Sequence, residues 1–138
     1  MRKILFRGIR KDTHEWVYGF YGEYFNSKKN IPCITIADAH AIAGSFCYEV
    51  IPETVGQFTG LTDKNGARVF EGDVMEFTAY GEHYKGVVYI YKGNFGIFCK
   101  PPSAHCEASP FLDNSIEEYN AVVIGNIYDN PELLEVTE

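Results

Sequence analysis

From its first residues the chain runs in short stretches of alternating apolar and polar positions, interrupted by Gly, Asn, Asp and Pro, which is the pattern of strands and turns. "KILFRGIRKDTHEWVYGFYGEYF" predicts a strand, a break at Lys11, Asp12 and Thr13, and a second strand, together a hairpin. Ile4 and Phe6 fall on one face of the first strand, with Lys3, Leu5 and Arg7 on the other. In the second strand Trp16, Tyr18 and Phe20 share a face, and aromatics in that arrangement are expected to be core; Gly19 and Gly22 let the strand bend or bulge. "IPCITIA", residues 31–37, predicts a third strand, placed at a sheet edge by Pro32. "DAHAIAGS" is the first place for a helical turn, capped by Asp38 and ended by Gly44. "FCYEVI", residues 46–51, alternates strictly and stops at Pro52.

Four further runs read as strands: "DVMEFTAY", "KGVVYIY", "NFGIFCK" and "AVVIGNIY". Residues 101–120, with Pro101, Pro102, Pro110 and "DNSIEEYN", predict a surface excursion with a helical turn near Ser115 to Tyr119. The tail "NPELLEVTE" opens on an Asn-Pro cap and offers about one turn of helix. The expected fold is mainly β, with α+β still open: antiparallel strands in one domain over residues 1–138, in which residues 52–138 form a small, strongly bent barrel and residues 1–51 add strands.

The most punctuated passage is "PETVGQFTGLTDKNGARVFEGDVMEF", residues 52–77. Asp63, Lys64, Asn65 and Gly66 predict a tight turn, because Asn and Gly accept positive φ. Gly60 and Gly72 relieve crowding at corners, and in Glu71-Gly72-Asp73 a short acidic side chain can accept backbone N–H groups across the preceding turn. Turn chemistry alone accounts for this passage.

Composition narrows the class. With 138 residues, 46% of them hydrophobic, ten Tyr and ten Phe, one sizeable core is feasible and strands are favoured. The net charge is −7, unevenly spread: residues 1–30 hold seven Lys or Arg against three acids, leaving five basic and sixteen acidic residues for the rest, a surface that repels phosphate backbones. No apolar run approaches membrane-spanning length and "MRKILFRGIRKD" lacks a signal-peptide core, so the expected setting is soluble and cytoplasmic, without a membrane partner.

Four kinds of site are compatible with the residues. Cys33, Cys47, Cys99, Cys106, His40 and His105 are possible metal ligands, but no Cys-x-x-Cys knuckle is present, so neither a metal, nor a cofactor, nor a disulfide framework is expected. Asp63, Glu71, Asp73 and Glu76 lie close in sequence, and Glu71 with Asp73 can face one side as a hydrolytic pair; no triad or nucleophile elbow accompanies them. Arg2, Lys3, Arg7, Arg10, Lys11, Lys28 and Lys29, interleaved with Trp16, Tyr18 and Tyr21, suit single-stranded nucleic acid, where cations track phosphates and rings stack on bases, and Arg7, Arg10, Trp16, Tyr18 and Tyr21 are the candidate binding residues. Self-association, or docking on a host or phage protein, asks least of the sequence: many aromatics, exposed strand edges and an acidic surface suffice. That binding role, with no catalytic residues, is the expected one.

The blocks "MRKILFRGIRKDTHEWVYGFY", "IPETVGQFTGLTDKNGARVFEGDVMEF" and "VIGNIYDNPELLE", in that order, resemble the YopX family of phage and prophage proteins over nearly the whole chain. The resemblance implies phage or prophage origin in a bacterial host cell, a mostly β fold with an SH3-like barrel in the C-terminal half, and a homo-oligomer; it carries no particular reaction. The segments Cys33 to Ser45 and Pro101 to Asn114 match no family block and are where features particular to this member are expected.

Overall fold

A computed structural model of the chain describes residues 4–37, 45–79, 81–91, 93–99, 116–117 and 119–134. Among the described residues ten strands follow in order: β1 (Phe6–Ile9), β2 (Trp16–Asn26), β3 (Lys29–Ala37), β4 (Ser45–Glu49), β5 (Gly56–Thr62), β6 (Arg68–Phe70), β7 (Asp73–Ala79), β8 (Glu82–Tyr91), β9 (Asn94–Cys99) and β10 (Val122–Asn126). One 3-10 turn, Pro52–Thr54, precedes β5 and another, Pro131–Leu134, follows β10, the latter where the Asn-Pro signal places it. Ile116, Glu117 and Tyr119 are helical, as the excursion's polar end predicts. The proposed turn over "DAHAIAGS" and residues 101–114 lie outside the described residues.

The fold is mainly β and its registered ladders are antiparallel. Contacts divide the chain into two compact units, Met1–Phe58 and Thr59–Glu138. The first places β4-β3-β2-β1 side by side, with the start of β5 paired to β1. Its core is Val17, Ile34 and Val50, with Phe6, Ile36, Tyr48 and Val55 packed around them. β3 is not an edge strand: it lies between β2 and β4. Pro32 is tolerated there because its carbonyl accepts the Val50 N–H at 3.1 Å, which points its ring nitrogen to the β4 side, just beyond the last registered pair, Cys33 with Glu49.

In the second unit the end of β5 lies beside β6, and β10-β7-β8-β9 form a four-stranded sheet. Val69, Met75, Phe77, Tyr84, Val88, Ile97 and Ala121 make its core. The expected SH3-like barrel is not confirmed, since β9 and β10 are the two outer strands of this sheet and the described residues form no closed barrel.

The 52–77 passage does what its turn chemistry predicts. Gly66 has φ +83° and donates its N–H to the Asp63 carbonyl at 3.0 Å, while Asn65 does not adopt positive φ; the left-handed conformation therefore rests on the glycine alone. Asp63 is buried: its Oδ1 accepts the N–H groups of Asn65 and Ala67, both at 2.9 Å, and its Oδ2 accepts that of Val123 at 3.0 Å. Asp73, also buried, accepts the Phe70 N–H at 2.7 Å. Asn65→Ala with Gly66→Ala is expected to lower stability by about 1 kcal/mol, nearly all of it from the glycine. Chemical denaturation beside the single Asn65→Ala variant checks this; equal losses in both variants would move the strain to Asn65.

Candidate functional site

The site begins with a choice of face in β2. Opposite residues in an antiparallel pair share a face, so the register of β1 on β2 groups Arg7 with Tyr18 and Ile9 with Trp16, and on the other face Phe6 with Gly19 and Gly8 with Val17. Val17 and Phe6 enter the core, and the face carrying Trp16, Tyr18 and Phe20 turns outward. The expectation that these aromatics are core is thereby reversed for Tyr18 and Phe20. Tyr18 is 46% exposed and Phe20 58%, and farther along the strand Tyr24 is 46% and Phe25 71% exposed. Across residues 20–30, up the end of β2, through Ser27 (φ +47°) and into β3, every residue but Gly22 is exposed. The β2–β3 ladder, from Phe20 opposite Thr35 to Asn26 opposite Lys29, thus presents aromatic side chains to solvent.

Of the cations expected beside these rings, Arg7, Arg10 and Lys11 are engaged within the chain, Lys28 and Lys29 are exposed, and Arg2 and Lys3 lie outside the described residues. Arg7 is buried, its guanidinium 4.6 Å above the Trp16 ring. Arg10 donates two hydrogen bonds to Asp12, at 3.0 and 2.8 Å, and lies 4.1 Å over the Tyr48 ring. The Arg10 hydrogen bonds hold the Asp12 carboxyl below the usual carboxylate range, and Asp12 in turn raises the Arg10 guanidinium. Lys11 pairs with Glu49 at 3.2 Å. Tyr21 packs against Phe6, ring centres 5.8 Å apart, and donates its hydroxyl to Glu23 at 3.3 Å; burial, then the Glu23 charge, pushes its phenol up. Of the five residues the sequence singles out, Arg7, Trp16 and Tyr18 are brought together on one face. Tyr21 stands on the opposite face, and Arg10 sits at the Val50 bridge against Tyr48. Phe20 and Tyr24 extend the exposed face, and Phe25 is exposed on the face of Tyr21; the signal of Phe20 and Tyr24 is an alternation that continues past Gly19 although the apolar partners needed to cover it do not.

A second group of polar side chains lies in the other unit. Thr78 and His83 face each other across β7 and β8, and Glu76 is two residues from Thr78 on the same face. The Glu76 carboxylate is 3.2 Å from His83 Nε2 and the Thr78 hydroxyl 3.4 Å from Nδ1. An ionised carboxylate only accepts, so Nε2 donates to Glu76, and in the neutral ring Nδ1 accepts from the Thr78 hydroxyl. The chain borders a shallow cleft of about 380 Å³ with Lys64, Tyr119 and Asn120. His83 is 55% exposed and Glu76 33%, and a pair that open to water has little energetic weight. Of the acids weighed for hydrolysis, Asp63 and Asp73 are committed to backbone amides, and Glu71 has partners of its own. Among the described residues no three His, Cys, Asp or Glu side chains gather as a metal site, and no helix is long and apolar enough to cross a membrane. His40, His105 and Cys106 lie outside the described residues.

Comparison with known proteins places this geometry. A family profile described as "YopX protein" matches residues 5–135. Among solved structures, protein EF1440 from Enterococcus faecalis is similar with a TM-score of 0.56 and 24% identity, over 98% of this chain and 100% of that one, a likeness that speaks for the fold. No curated protein matches.

Proposed function

The chain belongs to the YopX family, and on that footing we propose that it is a phage or prophage accessory protein that works by binding, in the cytoplasm of a bacterial host cell, as a homo-oligomer that engages a host or phage protein. The observation that carries this reading is the row of exposed rings on one face of β2, Tyr18, Phe20 and Tyr24, with Phe25 exposed on the other face near the β2–β3 turn. An aromatic side chain buries about 150–250 Å² when fully covered. Covering the exposed half or so of the three rings on that face removes roughly 200–400 Å² of apolar surface, enough for the core of an interface of about 800 Å² per partner. Tyr18 meets the partner directly, with Trp16 and Arg7 beneath it as a rigid support and Arg10 and Tyr21 bracing the strands that carry it. Cations already committed to Asp12, Glu49 and an indole ring are poorly placed to track phosphates, which favours a protein partner over single-stranded nucleic acid. The SH3-like barrel stays part of this proposal for residues 52–138, supported by the four adjacent antiparallel strands β10-β7-β8-β9.

Light scattering on the size-fractionated protein tests the reading. Tyr24→Ser with Phe25→Ser is expected to reduce the oligomer to a smaller species and to abolish capture of the partner from lysogenic cells, with the circular dichroism spectrum unchanged. Unchanged mass and capture would overturn it. Salt-sensitive binding of single-stranded DNA, lost when Lys28 and Lys29 are reversed to Glu, would replace it with the nucleic-acid reading.

A further inference from the structure

Two cysteines meet where β3 lies beside β4. The register sets Cys33 opposite Glu49 and Thr35 opposite Cys47, so Cys33 and Cys47 are diagonal neighbours on one face of adjacent strands. Their thiols are close enough for Cys47 to bear on the ionisation of Cys33, and both are free. The two environments differ: Cys33 is buried and Cys47 is exposed. Burial, followed by the neighbouring Cys47, pushes the Cys33 thiol up to about 11, so at neutral pH it stays protonated and slow toward oxidants. Packing explains Cys33 as a small buried hydrophobe, but it gives no reason for a second thiol on the same face at the surface, diagonally beside the first.

We propose that Cys33 and Cys47 form an oxidation site that closes a reversible cross-strand disulfide between β3 and β4 when a peroxide reaches Cys47. In the first step the Cys47 thiolate attacks one peroxide oxygen; the O–O bond breaks, hydroxide leaves, and Cys47 becomes a sulfenic acid. In the second, the Cys33 sulfur attacks the Cys47 sulfur, the S–O bond breaks, and the departing hydroxide takes the Cys33 proton as water. Two thiols and one hydrogen peroxide thus give one disulfide and two waters. The high barrier implied by a protonated Cys33 is offset by its fixed position beside the sulfenic acid, which makes the second step intramolecular. A dithiol reductant returns both thiols by exchange.

The test uses the full chain with Cys99→Ser and Cys106→Ser, so that only the pair remains, treated with hydrogen peroxide, quenched in acid and alkylated before mass spectrometry. The expected product is a single chain lighter by two hydrogen atoms, with neither cysteine alkylated, a peptide cross-link joining residues 33 and 47, and full recovery of both thiols with dithiothreitol. Because the readout lies on the intact pair, it does not depend on a core cysteine variant folding. Oxidation of Cys47 to sulfinic acid with Cys33 still open to alkylation, a disulfide between two chains, or two unreacted thiols would each overturn the proposal.

Discussion

Gly19→Ala is expected to destabilise the first unit by about 3 kcal/mol, the upper part of the range for overpacking. A Cβ built on Gly19 lies 2.3 Å from the carbonyl oxygen of Thr35, with the Thr35 carbonyl carbon at 3.1 Å and Ile34 Cγ2 at 3.2 Å. The first obstacle is backbone, so no rotamer change relieves it; β2 and β3 must move apart by roughly 1 Å, and in a close-packed interior that displacement opens the contacts around it. Those contacts include buried Val17 and Ile34. Gly22 provides the control on the same strand: a Cβ there meets nothing within 4 Å, so Gly22→Ala is expected to change stability by no more than about 0.5 kcal/mol. The single tryptophan, Trp16, lies in this unit and reports its unfolding by fluorescence in denaturant. Equal midpoints for the two variants would show that the close approach at Gly19 carries no cost.

Asp63→Ala is expected to cost the second unit about 3 kcal/mol or more. Three backbone N–H groups converge on this buried carboxylate: Asn65 and Ala67 from its own turn, and Val123 from β10. Removing the acceptor leaves donors that water reaches poorly, at roughly 1–3 kcal/mol each if they stay buried. Asp63→Asn separates charge from geometry. Its carbonyl oxygen can still accept from the turn, while its NH₂ group faces the Val123 N–H, donor against donor, so a loss of about half that of the alanine variant is expected. Hydrogen exchange at Val123 is the local readout, and it should quicken in both variants. An alanine variant as stable as the parent, with Val123 equally protected, would show that Asp63 is not the link between the turn and β10.

Those features of the fold that depend on neighbours along the chain can be read directly from the residues. Alternation marks strands wherever it runs, the Asp-Lys-Asn-Gly turn needs a residue free to take positive φ, and Gly66 takes it at +83°. A short carboxylate beside such a turn finds the amides of the next few residues, as Asp63 does with Asn65 and Ala67, and Asp73 with Phe70. Family membership was legible for the same reason: the quoted blocks are mainly turns and strand starts. Tertiary structure decided what a period of two leaves open. It fixes that Trp16, Tyr18 and Phe20 share a face but not which face is inward; that followed only when Phe6 and Val17 met Ile34 and Val50, residues well removed in sequence. The same pairing put β3 inside the sheet despite Pro32, placed Arg7 against Trp16 and tied Lys11 to Glu49, and so engaged two of the charges that read as a phosphate track. Val123 reaches Asp63 across 60 residues, and Cys47 lies beside Cys33 through strand register alone. Hydrogen bonds and ring contacts between distant residues exist only once the strands are paired, whereas turn geometry is settled within four or five consecutive residues; that difference in range separates what could be read from what had to be folded.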